Sequence, residues 1–230
     1  MIFLQLFDHT SHTYTYLLAE RRGGEALLID PVLENTARYA RLLDEMDVKL
    51  VMAADTHIHA DHVTALGALR DQTGCASAMG AMTRAECVSV HFHEGEKLCV
   101  DNLHLDVLYT PGHTDDSYSF LLPGRVFTGD TLLIRGTGRT DFQNGDPAAQ
   151  YDSLFGRLLT LPEDTLVYPA HDYNGMTVST IGEEKRHNPR LQVAEKQAYI
   201  ELMNGLELDD PKLMDIAVPA NRACGTRHAA

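Results

Sequence analysis

Three histidines and an aspartate, His57, His59, Asp61 and His62, lie within six residues of the chain. They follow the apolar run 50–54, which has the length and composition of a buried strand. Imidazole and carboxylate donors together suit zinc, iron or manganese, whereas a thiolate-rich cluster would indicate an iron–sulfur or structural zinc site. The density of the cluster argues against a polar loop or histidines that merely begin a helix. The segment therefore predicts a metal centre at the end of a strand.

Three further residues with metal-binding side chains, His113, Asp130 and His171, each follow another strand-like segment. In each case a proline or glycine ends the apolar segment shortly before the polar side chain. Gly112 and Gly129 give the backbone the freedom to bring such a side chain in close. Any one of the three alone could be a turn or capping residue. Their repetition at successive strand ends predicts that they join the first cluster in one site.

Strand-length and helix-length patterns alternate along the chain. The predicted strands cover residues 3–7, 13–19, 25–29, 50–54, 97–100, 104–109, 118–122, 126–127 and 166–168. The predicted helices cover residues 36–46, 63–70, 148–159, 177–187 and 193–202, and Gly74 closes the second of them. Strands interleaved with helices indicate an α/β layered fold, although periodicity alone does not order the strands.

The composition is that of an ordinary globular protein, with 230 residues, 44% hydrophobic and 23% charged. The formal net charge of −14 argues against a nucleic-acid-binding protein, whose affinity depends on neutralising phosphates. No apolar run approaches the length of a membrane span. The first residues lack the basic region and cleavage site of a secretory signal and the arginine-rich character of a transit peptide. We therefore expect a cytoplasmic protein with neither nucleic-acid nor membrane partners.

The four cysteines, Cys75, Cys87, Cys99 and Cys224, show no Cys-x-x-Cys spacing. Such a pattern predicts reduced thiols in a cytosolic protein rather than a disulfide framework or a zinc ribbon. Their individual roles are left open.

The order of a His-x-His-x-Asp-His segment (57–62), a later His113, an Asp130 and a last His171 resembles the metallo-β-lactamase superfamily. This resemblance implies an αββα sandwich, with two mixed sheets flanked by helices. It also implies a single domain over residues 1–230, in which a helical C-terminal segment of about 174–230 contributes to the substrate pocket. The fold does not give a reaction, because hydrolases, lactonases, nucleases and oxidoreductases share the scaffold.

Longer segments resemble one family of this superfamily, the persulfide dioxygenases. They cover residues 13–18, 129–143, 168–173, 178–180, 188–190 and 217–221. The resemblance implies one Fe(II) per chain, held by His57, His113 and Asp130.

The same resemblance implies roles for seven other side chains. Arg139, Tyr173 and Lys185 would contact glutathione. The remaining four would be hydrogen-bonded partners that orient the iron ligands, namely His59, Asp61, His62 and His171. For Arg139 the structural alternative is a salt bridge with Asp141.

The reaction that the resemblance implies converts glutathione persulfide, O₂ and water to sulfite and glutathione. The main alternative is a glyoxalase II-like hydroxyacylglutathione hydrolase with a dinuclear metal site, because the chain contains every ligand that a second metal would need. A non-catalytic metal-binding protein is disfavoured, since no thiolate is present to close the site. The oligomeric state is open, with a homodimer as one option.

Overall fold

The computed structural model of the protein describes residues 1–208 and 213–225. The parts of the predicted C-terminal segment at 209–212 and 226–230 lie outside the described residues. The chain divides into two compact units. The first unit comprises Met1–Leu105 and Asp210–Ala230, and the second comprises Asp106–Asp209.

The first of two six-stranded sheets has the order β1-β2-β3-β4-β5-β6, so that each strand lies beside its neighbour in the chain. β1 to β3 pair antiparallel, and β3 to β6 pair parallel. Parallel neighbours need a crossover connection, which helices α1 and α2 supply after β3 and β4. The strands are Ile2–Phe7, Tyr14–Ala19, Glu25–Ile29, Lys49–Ala54, Ala76–Gly80 and Val90–Phe92, and the helices are α1 (Thr36–Met46) and α2 (Leu66–Thr73).

The central strands of this sheet are apolar along almost their whole length, as expected for strands that are covered on both faces. All six residues of β2 are buried. Helix α1 turns Tyr39 and Leu43 toward the same core.

The second sheet has the order β12-β11-β10-β9-β8-β7. β8, β9 and β10 pair antiparallel, whereas β10 and β11 pair parallel and are joined through helix α3. The Asp146 side chain caps α3 by accepting hydrogen bonds from two amides of its first turn. The strands are Lys97–Val100, Leu103–Tyr109, Tyr118–Leu122, Arg125–Gly129, Leu166–Pro169 and Ser179–Thr180, and the helices that follow β10 are α3 (Pro147–Gly156), α4 (Ile181–His187), α5 (Lys196–Asn204) and α6 (Met214–Arg222).

The prediction of an α/β fold with two mixed sheets flanked by helices is confirmed. The predicted helix 63–70 begins instead at Leu66, because the backbone at 63–65 pairs with residues 31–33. The predicted helix 177–187 begins at Ile181, since Ser179–Thr180 pairs with β11. No helix among the described residues is long and apolar enough to cross a membrane. The single-domain assignment stays a prediction.

The prediction of four reduced cysteines is wrong for two of them, because Cys87 and Cys224 form a disulfide. Their Cα atoms are 5.9 Å apart although 137 positions separate them in the chain. Local spacing therefore could not reveal the pair, which the fold brings together. Cys75 is a buried free thiol and Cys99 an exposed one, as predicted.

Candidate metal centre

In the first unit, the candidate metal-binding residues follow the ends of two parallel neighbours, β3 and β4. Ile29 pairs with Ala54, so the residues that follow these two strands leave the same edge of the sheet. Asp30 adopts a left-handed backbone with φ of 51°, a conformation that aspartate tolerates better than most residues. Its Oδ1 accepts the Thr56 amide at 2.7 Å and its Oδ2 accepts the Thr56 hydroxyl at 3.1 Å. The buried Asp30 thus fixes the start of the histidine cluster.

The protonation of His57 follows from its hydrogen bond. Its Nδ1 lies 3.0 Å from the Thr56 hydroxyl oxygen. The single hydroxyl proton of Thr56 is donated to Asp30, so His57 Nδ1 must be the donor to this oxygen. In the neutral ring Nε2 then keeps its lone pair, which is the form that a metal ligand requires.

His59 is oriented by the same carboxylate. Its Nε2 lies 3.2 Å from Asp30 Oδ1, and an ionised carboxylate only accepts, so Nε2 carries the proton. Burial raises the pKa of the Asp30 carboxyl to about 6, and the Coulombic influence of His57 and the hydrogen bond from Thr56 oppose that rise. The rings of His57 and His59 lie 4.1 Å apart between centroids.

The Asp61 carboxylate accepts hydrogen bonds from two side chains of the first unit, Thr13 and His62. Its Oδ2 accepts the Thr13 hydroxyl at 3.1 Å and lies 3.0 Å from His62 Nδ1. His62 Nδ1 is therefore the donor in this pair. The His62 ring packs against His59, with 4.4 Å between centroids. One carboxylate oxygen of Asp61 thus serves to orient His62.

In the second unit, the candidate metal-binding residues extend from one edge of the second sheet. β8 and β10 both pair antiparallel with β9, and β11 runs parallel to β10, so all three point the same way. The residues that follow them include His113, Asp130 and His171, in that order. The prediction that these three side chains follow strand ends is therefore confirmed.

His113 and Asp130 present two donors to the same point. His113 Nδ1 lies 2.7 Å from the Arg139 carbonyl oxygen, which can only accept. Nδ1 therefore carries the proton, and Nε2, at 3.6 Å from Asp130 Oδ2, has the lone pair. Metal–ligand bonds of about 2.0–2.2 Å place neighbouring donors roughly 3–3.5 Å apart. The separation of 3.6 Å is close to this range, so a small movement would let the two atoms bind one ion.

The other carboxylate oxygen of Asp130, Oδ1, is hydrogen-bonded to His171. His171 Nδ1 lies 2.6 Å from Asp130 Oδ1 and donates to it. The His171 ring also stacks on Tyr173, with 6.2 Å between centroids and 7° between planes. Asp130 Oδ1 therefore accepts a hydrogen bond from His171, whereas Asp130 Oδ2 faces His113.

Two glycines allow the backbone to approach these ligands. The amide of Gly138 donates to the Asp130 carbonyl at 2.7 Å. A Cβ at Gly138 would lie 2.3 Å from that oxygen and 2.7 Å from His113 Nδ1. Gly112 has φ of +136°, and its Cβ would lie 2.3 Å from the Cα of Gln150. The sequence indicated the role of Gly112, which precedes His113, but not that of Gly138.

The residues predicted to contact glutathione have partners of their own. Arg139 binds Asp141 through two nitrogens, at 2.6 and 2.7 Å, so the salt bridge considered as the structural alternative is present. Its guanidinium also lies 4.3 Å from the centre of the Phe142 ring. Tyr173 is 63% exposed. Lys185, on α4, lies 3.9 Å from Glu163 Oε1.

Sequence analysis also missed three side chains that hold the first-unit histidines, Thr13, Asp30 and Thr56. Asp30 carried the same signal as the predicted ligands, since it directly follows a buried strand. The two threonines carried no signal of their own. Their roles depend on hydrogen bonds that only the fold creates.

The comparisons with known proteins identify the superfamily of the chain. The family model described as the metallo-β-lactamase superfamily matches residues 10–171. The chain therefore belongs to this superfamily, and its imidazole and carboxylate donors indicate a metal-binding protein.

Within the superfamily, the chain belongs to the persulfide dioxygenase family. It is 46% identical over 226 residues to "Persulfide dioxygenase ETHE1, mitochondrial" of Mus musculus, covering 97% of this chain and 88% of that protein. The Homo sapiens protein of the same name is 44% identical with the same coverage. The crystal structure of ETHE1 from Myxococcus xanthus has a TM-score of 0.96 and 54% identity, covering 98% of this chain and all of that one.

Proposed function

We propose that the protein is a glutathione-dependent persulfide dioxygenase. It would convert glutathione persulfide, O₂ and water to sulfite and glutathione at a single Fe(II). The observation that carries the proposal is the similarity to the mouse and human persulfide dioxygenases, at 46% and 44% identity over 97% of the chain. The names of those relatives give a persulfide as the substrate, and the sequence resemblance implies that its carrier is glutathione.

We propose His57, His113 and Asp130 as the iron ligands. Support comes from the hydrogen bonds of the two histidines, each of which donates through Nδ1, so that the neutral ring carries on Nε2 the lone pair that a metal needs. Asp130 supplies Oδ2 beside His113. Two histidines and one carboxylate are the ligand set of non-haem Fe(II) oxygenases, and they leave coordination positions open. Bound iron would supply the redox chemistry that O₂ requires.

His59, Asp61, His62 and His171 would orient this centre. Three of their hydrogen bonds support the role: His59 to Asp30, His62 to Asp61, and His171 to Asp130. A glyoxalase II-like hydrolase would instead need several of these side chains as ligands of a second metal. We propose the mononuclear centre because the chain belongs to the persulfide dioxygenase family.

Arg139, Tyr173 and Lys185 are the proposed glutathione contacts. The Arg139 guanidinium is held by Asp141. The Arg139 carbonyl oxygen accepts a hydrogen bond from His113 Nδ1. This residue therefore both orients a proposed ligand through its backbone and presents a cation through its side chain. A guanidinium can pair with a glutathione carboxylate. Tyr173 stacks on His171, which places an exposed phenol next to a residue that binds Asp130.

The cytoplasmic location stays a prediction from the sequence. The mouse and human relatives are named as mitochondrial proteins. The Cys87–Cys224 disulfide is of a kind that is rare in reducing compartments. The homodimer likewise stays an option without a test.

Metal stoichiometry in two histidine variants tests the mononuclear proposal. His113→Ala should lose tight iron binding, because it removes one of three protein ligands. His62→Ala should keep its iron, with a loss of about 10–100-fold in affinity or activity, as is typical for partners of metal ligands. A wild-type protein with two metals, together with a His62→Ala variant with one, would refute the single-iron centre.

A further inference from the structure

The C-terminal turn, residues 221–225 at the end of α6, lies against residues 59–64. We call residues 59–64 the ligand segment, because they follow the proposed ligand His57 and contain two histidines that would orient the metal centre. Asn221 is fully buried. Its Oδ1 accepts the Thr64 amide at 2.8 Å. Its Nδ2 donates to the carbonyls of His59 and His62, each at 2.8 Å. One side chain, distant in sequence, thus binds the backbone of the ligand segment at three places.

These hydrogen bonds replace secondary structure that the ligand segment lacks. Residues 59–64 belong to no helix and to no extended strand. Buried backbone groups need partners, and a segment outside regular structure must find them in side chains or other loops. Asn221 provides them at His59 and His62, the two histidines of the segment. The orientation of their imidazole rings depends on the peptide planes that Asn221 holds.

The backbone of the C-terminal turn adds two close contacts. The Gly67 amide at the start of α2 donates to the Cys224 carbonyl at 2.8 Å. Gly225 has φ of +74°, and a Cβ there would lie 2.0 Å from the Thr64 carbonyl oxygen. Only glycine permits this approach. The turn is therefore packed directly onto the ligand segment.

The Cys87–Cys224 disulfide ties this turn to the connection between β5 and β6 in the same unit. Cys224 follows Asn221 by three residues, and Cys87 lies in the connection between β5 and β6. Without the bond, α6 and its turn would be held only by non-covalent contacts. The covalent tie restricts how far Asn221 can move from His59 and His62.

We propose that Asn221 is a positioning residue for the metal centre and that the Cys87–Cys224 disulfide locks the turn that carries it. Reduction of the disulfide loosens the ligand segment and weakens metal binding. A dithiol would break the S–S bond by supplying two electrons and two protons, and would itself become a disulfide. This inference rests on the proposed metal centre, but not on the proposed reaction.

The test measures Co(II) binding, which needs neither O₂ nor a persulfide. Affinity is determined by competition with a chromophoric chelator, and the visible Co(II) absorption bands report the ligand geometry. Asn221→Ala and Cys87→Ser should each bind Co(II) about 10–100-fold more weakly, with altered bands. Wild-type protein that is reduced with a dithiol and desalted anaerobically should match Cys87→Ser.

Asn102→Ala is the matched control, because Asn102 also lies in the first unit and donates two hydrogen bonds, to Glu20 on the surface. It should bind Co(II) as the wild type does. If Asn221→Ala does not fold, the Co(II) affinities of Cys87→Ser and of the reduced wild type test the inference instead. Wild-type affinity and spectrum in these proteins would overturn this inference alone. A wild type that binds no Co(II) would overturn the metal centre as well.

Discussion

Replacing Glu184 with glutamine should strongly destabilise the second unit. Glu184 is fully buried on α4 and accepts hydrogen bonds from four donors. Its Oε1 accepts the Arg135 guanidinium and the Ser179 hydroxyl, and its Oε2 accepts the Arg135 amide and the Asn188 side chain. Arg135 has a left-handed backbone, with φ of 58°. One carboxylate therefore holds the turn between Asp130 and Arg139.

The magnitude follows from the loss of two acceptor contacts and one ion pair. A glutamine keeps the shape but turns an amide group toward two of the four donors. Hydrogen bonds to charged groups contribute about 1.5–3 kcal/mol each. Removing one partner of a buried ion pair lowers the free energy of unfolding by about 3–5 kcal/mol. Because the Arg135 side chain is 28% exposed, we expect the lower part of this range, about 3–4 kcal/mol.

Glu183→Gln is the matched control, one residue away on the same helix. Its side chain is 48% exposed and lies 3.3 Å from the Arg135 guanidinium. Exposed pairs of this kind contribute about 0–1 kcal/mol. Urea unfolding followed by circular dichroism and tyrosine fluorescence suits a chain without tryptophan. Equal free energies of unfolding for the two variants would refute the reasoning.

Three further predictions concern the site and the disulfide. Gly138→Ala should displace His113 and Asp130, because its Cβ would lie 2.7 Å or less from atoms of both residues. Metal analysis should then show that the folded variant has lost iron, and full iron content would contradict this prediction. Arg139→Ala should lower kcat/KM for glutathione persulfide by about 10–150-fold, corresponding to about 1.5–3 kcal/mol, while iron stays bound; a variant without iron would mean that the residue is structural. Reducing the Cys87–Cys224 disulfide should lower the free energy of unfolding by about 2–5 kcal/mol, because the bond closes a long loop in the unfolded chain. In the same urea assay, a dithiol should not change the free energy of unfolding of Cys87→Ser.

Much of the fold was predictable where the pattern was strong. Helix 36–46 and strand 25–29 have the bounds that periodicity indicated. Ala76–Gly80 escaped notice because alanine, serine and glycine have little strand preference, although the residues form a buried parallel strand. Helix α6 lies within the helical C-terminal segment of about 174–230 that the resemblance implied, but periodicity did not indicate its bounds, and it contains Pro219, a poor helix residue.

The candidate ligands were predictable because their types and strand-end positions are local properties. The residues that hold them were not. Asn221 lies 159 positions from His62 and 162 from His59. Nothing in the spacing of asparagines indicates such a contact, which exists only once α6 has packed against the rest of the first unit. The same reason hid the disulfide between Cys87 and Cys224.

Oxygen consumption by protein loaded anaerobically with Fe(II) tests the central proposal most directly. With glutathione persulfide as substrate, we predict that about one O₂ is consumed per persulfide, with sulfite and glutathione as products. Protein loaded with zinc should consume none, because zinc has no redox chemistry. The contradicting result would be an Fe(II)-loaded protein that consumes no O₂ with the persulfide, while the zinc-loaded protein hydrolyses a hydroxyacylglutathione.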